Sequence, residues 1–323
     1  MRTKRFQLTV LALLIMLSGL LMWKQQALVD WWRLRGYTAP ATIAQLAGDD
    51  TMTSEARHLF YVNRPEVTAG KDFTANCPTG GEKTVVLGCY IGIDQGIYIY
   101  QVTDARLNGV EQVTAAHETL HAAYRRLSSG ERKKVDAMLM DFYAHGLTDQ
   151  RIKDTIDAYR KSEPNDVVNE MHSIFGTEVA GLPAPLEQYY KQYFTDRSKV
   201  TDYTASYQSE FSGRQAQVAA YDTQLSELKS QIEGNQTKLA EQKVAIDAQN
   251  RQLSAQRASG QIGAYNAGVA TFNQSVDSYN ALLSSTKTMI NQYNDIVGKR
   301  NAIALEEQQL ANELSANSLP AAN

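Results

Sequence analysis

The sequence predicts an α+β fold that is predominantly helical, with a small β-hairpin and a long antiparallel coiled-coil hairpin. Three observations carry this. Apolar residues recur at three- and four-residue spacing through residues 115–194. Residues 84–90 and 96–102 alternate instead, the period of paired strands. From Phe211 onward, apolar residues recur every seven positions, stop at a glycine-containing break and resume.

The N-terminus comes first. Residues 1–5 are basic, and Phe6 to Trp23 is apolar apart from Gln7, Thr9 and Ser18. As a helix this run spans ~27 Å at 1.5 Å per residue, enough for a bilayer core. Leu20 to Lys24 offers no small-x-small cleavage site, so residues 6–23 read as an uncleaved transmembrane signal anchor. The charge bias keeps residues 1–5 cytoplasmic and places the rest outside a cell membrane crossed once. Residues 24–37 then form a juxtamembrane linker, with Trp31 and Trp32 at headgroup level.

Residues 38–200 read as one compact domain. A short helix is expected near Ile43–Leu46 and an extended segment near Leu59–Val62. Cys77 and Cys89 are the only cysteines and flank a turn-rich stretch, and in an exported chain they read as a disulfide. Helices follow from Ala115 to Leu127, with Val113, Ala116, Leu120, Tyr124 and Leu127 as the buried stripe, and from Glu131 to Tyr143. Others follow over Asp149–Tyr159, from Asn165, and over Leu186–Phe194.

Residues 201–314 form the coiled-coil hairpin. Phe211, Val218, Leu225, Ile232, Leu239, Ile246 and Leu253 keep strict heptad spacing. The intermediate seam turns polar at Asn235, Gln242, Gln249 and Gln256. Ser259 to Gly263 breaks the helix, and Tyr265 opens the second series. Arms of similar length about a glycine turn most simply fold back antiparallel, each ~70 Å long. Residues 315–323 are expected to be a disordered tail. The formal net charge of −3 gives no sign of a nucleic-acid partner.

One stretch names a chemistry: His117-Glu118-Thr119-Leu120-His121. Two imidazoles four residues apart lie on one helix face and can share a zinc ion. Glu118 is then placed as the general base acting on a zinc-bound water. A third ligand must come from elsewhere, and Asn169-Glu170-Met171-His172-Ser173-Ile174-Phe175-Gly176-Thr177-Glu178 is the stretch that offers one. Glu170, His172 and Glu178 are the alternatives. Tyr124, His145, Tyr189 and Tyr190 are candidates for stabilising an oxyanion.

HETLH followed by NEMHSIFGT resembles the thermolysin-like zinc metallopeptidases (gluzincins), whose second motif has the form NExxSDIFGT. The resemblance covers these two short helices. It implies a zincin-like catalytic domain with His117, His121 and Glu170 as ligands and Glu118 as general base. The family's Asp after the motif's Ser is missing, since Ile174 follows Ser173 directly; its role of orienting a ligand histidine is unfilled or has moved to Glu178, with Ser173 a further candidate beside the ligands. The resemblance also implies that the strand at Gly96–Tyr100 is the edge on which an extended substrate would lie.

The expectation is therefore a membrane-anchored, extracytoplasmic zinc metallopeptidase acting on a peptide or protein substrate. The coiled coil would serve a protein partner or self-association. The competing expectation is a tethered coiled-coil scaffold that retains an idle zincin fold.

Overall fold

A computed structural model describes residues 25–77, 86–92 and 96–314. The expected anchor at 6–23, the basic segment 1–5 and the tail 315–323 lie outside these residues. So do residues 84 and 85, where the first hairpin strand was expected to start. Against the expected single-pass membrane placement, no helix among the described residues is long and apolar enough to cross a membrane. The two longest helices carry Lys, Glu, Gln and Asn at short intervals, a composition suited to water.

The chain divides into two compact units: one built from residues up to Ser209 together with the segment from Ala311, the other from Glu210 to Leu310. In chain order the first unit contains α1 (25–34), α2 (Ala41–Asp49), α3 (Ser54–Val62), β1 (Glu66–Thr68), α4 (Gly70–Asn76), β2 (Gly88–Tyr90) and β3 (Ile97–Tyr100). It continues with α5 (Val110–Arg126), α6 (Ser129–Asp141), α7 (Gln150–Ser162), α8 (Val167–Glu178) and α9 (Ala184–Tyr190). Among the described residues the chain is thus mostly helical, as expected, with one three-stranded sheet in place of a simple hairpin.

The α5 helix is the centre of this unit. Val110, Val113, Ala116, Leu120 and Tyr124 are buried along it, and α2, α3, α8, β2 and β3 all pack against it. Leu127, expected to end the buried stripe, is only half-buried because the helix stops at Arg126. The α8 helix makes the closest approach. A Cβ on Gly176 would lie 2.4 Å from Leu120 Cδ1 and 2.8 Å from the Tyr190 ring, so only glycine lets the two helices meet. The C-terminal end of α8 is held by Arg197, 7% exposed, which donates to the carbonyls of Phe175, Gly176, Val179 and Ala180 and pairs with Glu187. The Phe175 and Gly176 carbonyls belong to the last turn, where a helix end leaves carbonyls without intrahelical partners; those of Val179 and Ala180 lie just beyond it.

The extended segment expected at Leu59–Val62 is instead the end of α3. The Thr53 side chain accepts from the Ala56 N–H and starts the helix, and Leu59, Phe60 and Val62 are then buried by helical spacing. Residues 25–34, within the expected juxtamembrane linker, form α1 and pack onto the domain. Asp30 of α1, 5% exposed, takes both terminal nitrogens of Arg126 at 2.6 and 2.9 Å, tying α1 to the end of α5. Trp31 and Trp32 remain exposed.

The sheet order is β1-β3-β2. The expected antiparallel pairing of β2 with β3 is present, with Cys89 opposite Tyr98. β1 pairs in parallel with the far side of β3, so the Gly96–Tyr100 strand expected at the edge is central. The edge beside α5 is β2. Cys77 and Cys89 form the expected disulfide, which ties β2 to the end of α4 over the buried Phe73.

The second unit contains most of two long helices, α10 (Ser198–Ala258) and α11 (Ile262–Glu313). Within it Asp222 pairs with Arg300, Gln215 with Glu307 and Asn235 with Met289, the descending register of an antiparallel pair. Gln242, Gln249 and Gln256 bury side-chain oxygens that find no donor among the described residues.

Candidate metal centre

Helix geometry supplies the first two residues. His117 and His121 stand one turn apart on α5, with ring centroids 4.7 Å apart. The close approach of α8 supplies the third. Glu170 reaches His117 Nε2 with one carboxylate oxygen at 3.7 Å and His121 Nε2 with the other at 3.4 Å. The ligand atoms of the three side chains all lie within 4.8 Å of one another. Two ligands at zinc distance in a tetrahedral site lie about 3.3 Å apart, so this donor set fits a zinc ion in atom type and spacing.

Electrostatics agree. Burial alone would lower the His117 imidazole, yet its bond to Glu170, with the charges of Glu118, Glu170 and Glu178 beside it, raises it above the ordinary histidine value. Burial alone would raise the Glu170 carboxyl, and His121 and His117 together hold it below its usual range. A carboxylate 6% exposed, between two imidazoles, is a cation-seeking arrangement.

Glu118 is also 6% exposed, and burial raises its carboxyl above the ordinary range despite the opposing pull of His121 and His117. It accepts a hydrogen bond from the backbone N–H of Tyr90, the last residue of β2. β2 lies directly on this part of α5: a Cβ on Gly88 would sit 2.4 Å from Thr114 Cγ2 and 2.9 Å from Glu118 Oε1.

The alternatives to Glu170 are turned elsewhere. Glu178 forms an ion pair with Arg151 at 2.6 Å. His172 is fully buried on another side of α8, with Nε2 2.8 Å from the Tyr189 hydroxyl and Tyr124, Tyr190 and Tyr193 packed around its ring. Two residues along a helix rotate a side chain by roughly 200°, which is why Glu170 and His172 diverge. Burial above all, with the charges of His121 and His117, lowers the His172 imidazole to about 3, so it is a neutral core histidine.

The expected oxyanion groups are likewise engaged elsewhere. The Tyr124 hydroxyl donates to Asp136, Tyr190 donates to the carbonyl of His172, and Tyr189 is bonded to the His172 ring. His145 is exposed and sits beside Asp141 on the turn after α6. Ser173 is buried, and its hydroxyl has no hydrogen-bond partner among the described residues, so it orients neither histidine.

Gly88 and Tyr90 belong to the site but carried no sequence signal, because their role depends on where β2 lies on α5. No family model, no curated protein and no solved structure matches this chain.

Proposed function

We propose that the first unit is a zincin-like metallopeptidase domain whose ion is held by His117, His121 and Glu170. The observation that carries the reading is the convergence of two imidazole Nε2 atoms and a buried carboxylate within 4.8 Å, with Glu118 next in sequence to the first histidine. Zinc, when bound, supplies Lewis acidity, lowering the pKa of a coordinated water and polarising a carbonyl. The chain's own residues do the rest. His117 and His121 offer imidazole nitrogens, and Glu170 offers the negative charge that offsets part of the ion's own. Glu118 takes a proton and returns it to the departing amine, a role suited to a carboxyl raised by burial. The Tyr90 N–H holds that carboxylate in one orientation between the two transfers.

A second reading, in which the metal fold is idle and the coiled coil is the working part, draws on one observation. Glu118 is buried and already hydrogen-bonded by β2, so substrate would have to share this side chain with the strand. One experiment separates the two: zinc content together with peptide hydrolysis for the native chain and Glu118→Gln. The peptidase reading expects stoichiometric zinc in both and turnover only in the first. Zinc without turnover in the native chain favours the idle fold, and turnover retained in Glu118→Gln removes Glu118 from the reaction.

A further inference from the structure

The arginines around α5 are accounted for with one exception. Arg126 is bound by Asp30 and Arg151 by Glu178, while Arg132 lies over the Tyr124 ring and donates to the Tyr124 carbonyl. Arg125 is exposed, and among the described residues its guanidinium has no hydrogen-bond or ion-pair partner.

Its place on the helix is specific. His117, His121 and Arg125 are spaced i, i+4, i+8 and therefore share one face of α5. A long helical side chain leans back over the turn N-terminal to its own Cα. The β2 segment fixes the other side. It runs along α5 with Gly88 over Thr114 and Glu118, the Tyr90 N–H on Glu118 and Gly92 against Arg125; a Cβ on Gly92 would lie 3.4 Å from Arg125 Nη1. Gly92 has φ +59, a conformation side chains rarely adopt. The guanidinium therefore stands beside the end of the β2 segment, on the same helix as the candidate metal centre.

We propose that Arg125 is a specificity-determining residue that binds a substrate carboxylate two to three residues from the scissile bond. The distance follows from the frame. Arg125 is about 6–9 Å along the helix axis from the turn that carries the histidines, at 1.5 Å per residue. An extended peptide covers that span in two to three residues at roughly 3.3 Å each. A planar fork of five donors is matched by a carboxylate, which it can take bidentately. That carboxylate is either an Asp or Glu side chain or a free C-terminus. The inference rests on the peptidase reading and extends it to substrate class: acidic or C-terminal peptide segments rather than basic ones.

The test reads binding rather than turnover. Zinc-loaded Glu118→Gln protein, alone and with Arg125→Ala or Arg125→Glu, is titrated into fluorescent eight-residue peptides and followed by anisotropy. One set carries a single Asp at each position with an amidated C-terminus, a second is neutral with a free C-terminus, and a third replaces Asp with Lys. The proposal expects one Asp position, or the free C-terminus, to tighten binding at least tenfold over the neutral amide. Arg125→Ala should abolish that gain and Arg125→Glu should transfer it to Lys, with zinc content and melting temperature unchanged. Whichever set shows the gain identifies the source of the carboxylate. Equal binding of all sets, no binding of any, or a preference that survives Arg125→Ala each overturns it. A carboxylate preference in binding alongside a native chain that hydrolyses nothing would sink the peptidase reading while leaving Arg125 as a carboxylate site.

Discussion

The backbone N–H of Tyr90 donates to the carboxylate of Glu118, so the residue proposed as general base is oriented by a strand and not by its own helix. This hydrogen bond needs β2 to lie flat on α5, and Gly88 is where the strand comes closest.

A methyl group there has no room. In Gly88→Ala the new Cβ would meet Thr114 Cγ2 at 2.4 Å and Glu118 Oε1 at 2.9 Å. Overpacking of this kind costs ~1–3 kcal/mol. Adding Thr114→Ser removes the obstructing Cγ2 and keeps a hydroxyl for the Val110 carbonyl, so the double variant should recover most of the loss. Urea unfolding measures both, and a single variant as stable as the native chain would mean β2 does not rest on α5.

The disulfide holds the same strand. Cys77 and Cys89 are separated by 12 positions, and opening a loop of that size removes about 3 kcal/mol in the chain-entropy account. The paired Cys77→Ser, Cys89→Ser variant should therefore melt lower, as should the native chain under reductant. Equal melting temperatures with and without reductant would show that the bridge constrains nothing.

Metal should stabilise the first unit by mass action. A ligand at a hundred times its dissociation constant adds about 2.7 kcal/mol. Native protein with zinc should lose melting temperature on chelation, and Glu170→Gln should show no such dependence and bind little zinc. Arg151→Met, which removes the partner of Glu178, should leave zinc content unaltered, because Glu178 is not among the three converging donors.

His172 gives a pH signature of its own. Its imidazole is lowered from 6.5 to about 3, first by burial and then by the charges of His121 and His117. The unfolded chain takes up this proton near pH 6.5 and the folded chain only near 3. Its neutral state therefore contributes stability that is full above pH 6.5 and lost as pH falls toward 3. The difference in unfolding free energy between native and His172→Gln should change with pH only inside that window. A constant difference from pH 7 to pH 4 would contradict it.

The parts of the site legible in the sequence are those with short-range rules. An i, i+4 histidine pair declares its own geometry, and Glu170 followed from a motif resemblance that a close α5–α8 contact at Gly176 then makes physical. Non-local pairing left no trace. The parallel partnership of Glu66–Thr68 with Tyr98–Tyr100 puts the Gly96–Tyr100 strand in the middle of the sheet and leaves β2 beside Glu118, which no local pattern announces. Leu59 to Val62 misled for the opposite reason: four residues of mixed apolar character fit a strand or a helix equally, and the Thr53 cap decides for helix. Residue type alone marks the tyrosines as oxyanion donors, but Asp136 and His172 engage their hydroxyls.

The amide-lined stretch of the second unit sets a gradient along the hairpin. From Gln242 to Gln256 three successive side-chain oxygens are sealed from water without donors among the described residues, in a seam that is leucine- and isoleucine-rich nearer Phe211. Each such oxygen forfeits solvation, so segments approaching Gly260 should exchange their peptide hydrogens sooner than those around Leu225 and Leu239. The hairpin would then unzip from its turn, leaving the distal coil a compliant tip on a stiffer stem.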